Sequence, residues 1–240
     1  MRFGLVGTGP WAELAHAPGL AAAEGVELVG IWGRSLGRAQ ALADSYGVAA
    51  YDDYAALLAD VDAVAFAVPP AVQGELALAA AGAGRHLLLD KPVAADPDAA
   101  RALLAAATEA GVASVVFFAD RFVDETRAWI EDVRRGDEVC LVASHASGAT
   151  STIALTQFAP PAASQYEATV WGEAGFSAMP PRPEGAFGAL LARAAEELVA
   201  CASSGQPHEL DLRFGVEVVE LLAQAQQQLD HTGSPVGSPR

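Results

Sequence analysis

Short apolar runs separated by helix-period segments organise the first half of the chain. Residues 2–6, 26–32, 61–68, 86–90 and 112–119 are rich in Val, Ile, Leu and Ala. They run continuously apolar where a half-exposed strand would alternate, the pattern of strands buried on both faces of a parallel sheet. Between them, residues 14–23, 36–46, 53–59, 71–83 and 97–110 follow helical spacing, with Ser35 and Asp96 at cap positions and Gly47 closing the second of these helices. Strand and helix alternate throughout, so the pattern predicts an α/β fold with a doubly wound parallel sheet over residues 1–120.

The pattern changes after residue 120. Phe122, Thr126, Trp129, Ile130 and Val133 share one face of a helix predicted over 121–135. Alternating stretches at 139–145, 149–158 and 165–171, with Gly148 and the Pro160-Pro161 pair at turns, predict a short, mainly antiparallel open sheet. Helices are expected at 186–203 and 213–229, and a mobile tail after them. Residues 121–240 thus read as a smaller α+β domain. Its helices cover one face of the sheet and leave the other for a homodimer or higher homo-oligomer.

Charge narrows the partners. A formal net charge of -16, from 14 Lys+Arg against 30 Asp+Glu, repels nucleic acid and anionic membrane surfaces over most of the molecule. The longest apolar stretch, 63–72, is short and broken by Pro69 and Pro70, and no signal-peptide pattern opens the sequence, so neither a membrane nor secretion is expected. Cys140 and Cys201 make no disulfide framework and lie at no metal-ligand spacing; a reducing cytoplasm and no metal are expected.

Candidate chemistry begins at the first turn. Gly7, Thr8, Gly9, Pro10, Trp11 and Ala12 follow the first strand, and Gly7, Gly9 and Ala12 fall at the G-x-G-x-x-G/A spacing of a dinucleotide-binding Rossmann turn. Gly7 permits the turn and Gly9 lets the pyrophosphate approach the backbone. Ala12 admits close helix packing, while Pro10 suits the helix start, where amides and dipole face the anion. The spacing alone is also met by any glycine-rich strand-to-helix turn. In NAD-specific proteins an acidic residue ends the second strand. Here Gly33, Arg34 and Ser35 stand there, with Arg38 one turn on, a set suited to a 2′-phosphate; Ser35 as a simple cap and the arginines as a solvated face remain the alternative. NADP is expected ahead of NAD. Val68, Pro69 and Pro70 end the third predicted strand and should border the crevice, as should Asp120 and Arg121 at the end of the fifth.

GTGPWA, Gly-Arg-Ser, VPP, LLLDKPVA and FFADRF, in that order, resemble the Gfo/Idh/MocA family of oxidoreductases, named for glucose-fructose oxidoreductase and inositol dehydrogenase. The resemblance implies an N-terminal Rossmann domain, a C-terminal α/β domain, and hydride transfer between NAD(P) and a sugar-like or cyclic alcohol. The family's E-K-P tripeptide matches Asp90, Lys91 and Pro92, with a shorter carboxylate. It implies that Lys91 is the catalytic lysine beside the substrate hydroxyl and nicotinamide ribose, and that Asp90 and Pro92 line the cofactor. Chemistry agrees, because an ammonium can stabilise a developing alkoxide or relay its proton, although a surface Lys91 paired with Asp90 would read the same way. The Lys91–Pro92 bond precedes a proline and is open to the cis form.

Gln73 stands where the family commonly has histidine; it is expected near the cofactor but does not titrate. His16 and His86 occupy structural places in the family, and His145, Tyr166 and His208 read as structural too. The family's acidic residue followed one turn later by histidine, which completes the active site, has no counterpart after residue 136. Three readings follow: an NADP(H)-dependent oxidoreductase acting on a hydroxyl or ketone of a small polar, sugar-like substrate; a non-catalytic NADP-binding sensor or partner subunit; or a chain lacking an internal segment of a longer enzyme.

Overall fold

The computed structural model describes residues 1–136, 169–172, 175–181, 183 and 185–232. They form two compact units, one of Met1–Ala119 with Phe187–Arg240, the other Asp120–Ala186.

The first unit is built on a six-stranded sheet ordered β3-β2-β1-β4-β5-β6, and every pair in it is parallel. The strands are β1 (Arg2–Val6), β2 (Glu27–Trp32), β3 (Ala49–Tyr51), β4 (Ala63–Phe66), β5 (His86–Asp90) and β6 (Ser114–Phe117). All residues of β4 and β6 are buried, as the continuous apolar runs require. The order reverses between β1 and β4, which opens a crevice at the carboxyl ends of those strands, the usual ligand place in a doubly wound sheet.

The helices start and stop largely where their signals stand. Gly47 ends α2 (Leu36–Tyr46) at φ 66°. Asp53 and Asp96 cap α3 (Tyr54–Asp60) and α5 (Pro97–Glu109) by accepting the amides of Ala55 and Ala99. The α4 helix runs Pro70–Gly82. Between β1 and β2 the winding is irregular, a π-helical stretch at Ala12–His16 followed by α1 (Ala17–Ala22). The Ala17 amide reaches back to the Ala12 carbonyl, one residue beyond the α-helical partner. Pro18 has no N–H to give and its ring crowds the preceding turn, which explains the local loosening.

The short edge strand β3 was not expected. Three residues carry too little pattern to register, yet Tyr51 explains a glycine elsewhere: a Cβ on Gly30 of β2 would lie 2.2 Å from its ring. The Tyr51 hydroxyl donates to Asp60 at 2.7 Å.

The two C-terminal helices differ from expectation. Helices α7 (Phe187–Ser204) and α8 (Leu212–Thr232), read as covering a second-domain sheet, belong to the first unit. Small residues admit them. A Cβ on Gly19 of α1 would meet the Gly188 carbonyl oxygen at 2.7 Å and Leu191 Cβ at 2.8 Å, and one on Gly215 of α8 would meet Val93 at 2.6 Å. The segment between them seals the sheet edge, since Val116 N–H donates to the Leu210 carbonyl at 2.7 Å. The Leu212 N–H donates to the Ser114 hydroxyl at 3.0 Å. An edge strand closed this way offers no row of unpaired amides.

The second unit contains α6 (Asp124–Gly136) and an antiparallel hairpin, β7 (Thr169–Gly172) with β8 (Gly175–Ala178). Phe122 and Thr126 are buried as the helical face predicts. The Arg127 guanidinium lies 5.9 Å from the Phe122 ring centre, and Trp129 donates to Ser177 at 2.7 Å. The strand expected at 165–171 overlaps β7. Those at 139–145 and 149–158 lie outside the described residues, as do Cys140, His145 and Tyr166. Among the described residues, no helix is long and apolar enough to cross a membrane.

Candidate functional site: the crevice at the ends of β1, β4 and β5

β1 delivers Gly7 to the crevice in a conformation that excludes a side chain. Its φ is +129°, and a Cβ there would sit 2.3 Å from the Ala67 carbonyl oxygen just past β4. Gly9 is the opposite case: nothing lies within 4 Å of where its Cβ would be. That open space in front of a helix start, with Pro10 in its first turn, matches what an anion cradle needs. Ala12 is fully buried beneath the turn, as a helix packed close to the strand requires.

Trp11 plays a part that the motif alone does not reveal. Its ring packs 4.8 Å from Phe187, 6.0 Å from His16 and 6.5 Å from Phe117, centre to centre. Its indole N–H donates to the Asp90 carboxylate. The nucleotide turn is thereby tied to the end of β5. The other Asp90 oxygen accepts the Lys91 amide at 2.8 Å. Burial pushes the Asp90 carboxyl above the ordinary range, opposed by those two hydrogen bonds and the Lys91 charge.

Lys91 is exposed at the carboxyl end of β5, and the bond to Pro92 is cis. It is also the single lysine of the chain; every other cationic side chain apart from histidine is arginine. A lone ammonium among guanidiniums marks a position where a compact, proton-bearing point charge is not interchangeable with a planar guanidinium. Gln73, expected beside the cofactor, is 1% exposed and its amide is bonded to the backbone of residues 90–93. With carbonyls on its N–H groups, it has no donor left for a ligand.

At the end of β2, Arg34, Ser35 and Arg38 are exposed. Ser35 occupies the N-cap position of α2, but its hydroxyl makes no capping bond. Gly33 is set by its neighbour: a Cβ there would lie 2.7 Å from Thr8 Cγ2. Pro69 precedes α4, Pro70 opens it, and the Pro69 carbonyl accepts the Gln73 amide at 2.9 Å, with Val68 half-buried before them. Arg121 and Asp120 belong to the second unit, where the Arg121 carbonyl accepts from Arg127 Nε at 3.2 Å.

Among the described side chains, His16, His86 and His208 take structural places. His86 stands at the opposite end of β5 from Lys91 and accepts the Ala113 amide at 2.9 Å. His208 joins Glu197 at 2.6 Å and accepts the Leu210 amide at 3.0 Å. His16 is fully buried; its Nδ1 lies 3.4 Å from the Trp11 carbonyl and its Nε2 has no hydrogen-bond partner. Burial lowers its pKa to about 4. The unfolded chain then binds a proton between its ordinary value of 6.5 and about 4 that the folded chain refuses. Stability is therefore undiminished above that window and falls as pH falls through it, by about 3 kcal/mol in all. Urea unfolding at a series of pH values is expected to show this loss, and His16→Gln to flatten it; an equally steep loss in the variant would exclude His16 as the source.

Residues 1–118 match the family model GFO_IDH_MocA, an oxidoreductase family with an NAD-binding Rossmann fold. The chain is 34% identical over 139 residues to D-glucoside 3-dehydrogenase of Escherichia coli, covering 57% of this chain and 40% of that one. It is 37% identical over 125 residues to D-xylose 1-dehydrogenase (NADP(+)) 2 of Haloferax volcanii, covering 51% and 38%. Among solved structures, the 3-ketoreductase KijD10 from Actinomadura kijaniata, in complex with NADP and TDP-benzene, superposes with a TM-score of 0.53 at 30% identity, covering 57% of this chain and 42% of that one. The chain thus aligns with less than half the length of these relatives.

Proposed function

We propose that this chain, whose residues 1–118 match the model of an oxidoreductase family with an NAD-binding Rossmann fold, is an NADP(H)-dependent oxidoreductase acting on a hydroxyl or ketone of a small polar, sugar-like substrate. The observation that carries the proposal is the chain's single lysine at the carboxyl end of β5, its turn tied through Asp90 and Trp11 to the glycine turn. When bound, the nicotinamide supplies or accepts the hydride. The turn at Gly7–Gly9 receives the pyrophosphate on backbone amides. Arg34, Ser35 and Arg38 hold the 2′-phosphate, and Gly33, kept small by Thr8, offers no carboxylate to repel it. In the reducing direction the Lys91 ammonium gives its proton to the oxygen as the carbonyl carbon gains hydride; in the other direction the amine takes that proton back. Val68, Pro69, Pro70 and Pro92 border the nicotinamide side. The relatives' sugar substrates and the NADP in the KijD10 complex support this reading.

The non-catalytic NADP-binding reading is favoured by one observation, that the family's acidic-then-histidine helix has no counterpart in the sequence after α6. A titration with NADPH and NADH, followed by a panel of polyols, aldoses and ketosugars, separates the two. Tight NADPH binding with turnover is expected, and binding without turnover on any of them would sink the enzyme reading. Arg34→Ala with Arg38→Ala is expected to weaken NADPH about a hundredfold and NADH by less than about threefold, since each lost charge-assisted contact is worth roughly 1.5 kcal/mol. Equal losses for both cofactors would refute the 2′-phosphate site. The same reading places the protein in the cytoplasm as a homo-oligomer joined through the sheet of the second unit; light scattering on these samples tests the assembly, and cell fractionation the compartment.

A further inference from the structure

Among the described residues, Gln73 is the one buried uncharged amide side chain at the crevice, and its bonds all go to a single stretch of backbone. Oε1 accepts the Asp90 N–H at 2.9 Å. Nε2 donates to the carbonyls of Asp90 at 2.8 Å and Val93 at 3.1 Å, with that of Pro92 at 3.3 Å. One side chain from α4 thus grips the main chain on both sides of Lys91. Only a primary amide brings two donors and an acceptor without charge: a neutral imidazole has one donor and one acceptor, and a carboxylate has no donor at all.

We propose that Gln73 is a positioning residue for Lys91, holding the Asp90–Val93 backbone so that the ammonium faces the bound nicotinamide, and doing so independently of pH. The inference rests on the reading of Lys91 as the proton donor. A primary amide keeps its donors and acceptor across the whole working range, so the grip neither loosens nor tightens when protons are gained or lost. A histidine here would trade its acceptor for a second donor on protonation and release the Asp90 amide.

The single lysine makes this measurable without turnover. Acylation by acetic anhydride, read by mass spectrometry, has two amine targets, Lys91 and the α-amine of Met1, and the second serves as internal reference. Bound NADP⁺ is expected to slow Lys91 acylation in the wild type about tenfold at both about pH 5.5 and about pH 8, the proximity of the cofactor blocking the amine. In Gln73→Glu, the buried carboxyl is protonated at the lower pH and keeps a donor, so protection persists there; at the higher pH it ionises, repels three carbonyls, and protection falls below about twofold. Cofactor affinity of the variant is expected to match the wild type at both values, while its melting temperature drops at the higher one, where the buried carboxylate is ionised. In Gln73→Met, protection is lost at both and kcat falls about a hundredfold while KM for NADPH holds. Protection in Gln73→Glu that does not change with pH, or that disappears only together with NADP⁺ binding, would overturn the positioning role. Wild-type protein whose Lys91 gains no protection from NADP⁺ would overturn the reading of Lys91, and this inference with it.

Discussion

Lys91→Ala is expected to bind NADPH within about threefold of the wild type and to turn over its best substrate about a thousandfold more slowly, the range lost with a positioned general acid–base. The separation follows from where the side chain stands. The pyrophosphate cradle belongs to β1 and the helix start after it, the 2′-phosphate set to the end of β2, and Lys91 to the end of β5, so deleting the amine leaves the binding apparatus whole. The backbone of its turn is held by Gln73 and by the Asp90–Trp11 contact, neither of which uses the lysine ammonium. Lys91→Arg discriminates further. It restores the charge but not the compact ammonium that gives and takes back a proton, so binding stays near the wild type and the rate recovers only partly. Stopped-flow measurement of NADPH oxidation gives both numbers, and a Lys91→Ala protein turning over within threefold of the wild type would remove the residue from the chemistry.

Gly7→Ala and Gly9→Ala are expected to fail in opposite ways, although the two glycines share one motif. At Gly7 the new methyl meets main chain, the Ala67 carbonyl oxygen at 2.3 Å, from a φ of +129° that an L side chain rarely adopts. Neither β1 nor the end of β4 can yield without disturbing the centre of the sheet. A loss of about 3 kcal/mol and a melting point lower by about 10 °C are expected. At Gly9 nothing occupies the space, so stability is unchanged and the methyl stands where phosphate must come; NADPH affinity falls at least about tenfold. Calorimetry and cofactor titration on the same two proteins decide the matter. A Gly9→Ala variant that binds NADPH normally would show that the open space is not the cradle.

The parallel strands and their helices were legible because each signal is local: a continuous apolar run, a capping aspartate, a glycine after a helix. Asp96 and Gly47 do what their positions announce. What could not be read depends on partners distant in sequence. Nothing near residue 11 says that the indole will meet a carboxylate at residue 90, and nothing near residue 73 says that its amide will turn inward on the backbone of residues 90–93. The placement of α7 failed for the same reason. An amphipathic helix announces that it has an apolar face but not what covers it, and here the cover is Gly19 of α1 together with β5 and β6 of the first unit. The edge strand β3 failed on length alone.

The nucleotide unit is discontinuous, its chain leaving at Ala119 and returning at Phe187. This imposes an order on biosynthesis. When the first six strands have emerged from the ribosome, the face of α1 that will receive α7 is bare, and the β6 edge still lacks the Leu210 carbonyl that closes it. Closure spans a large sequence separation, which raises contact order and slows the last step of folding. In the interval the nascent chain presents the features that chaperones bind, an apolar helix face and an open strand edge.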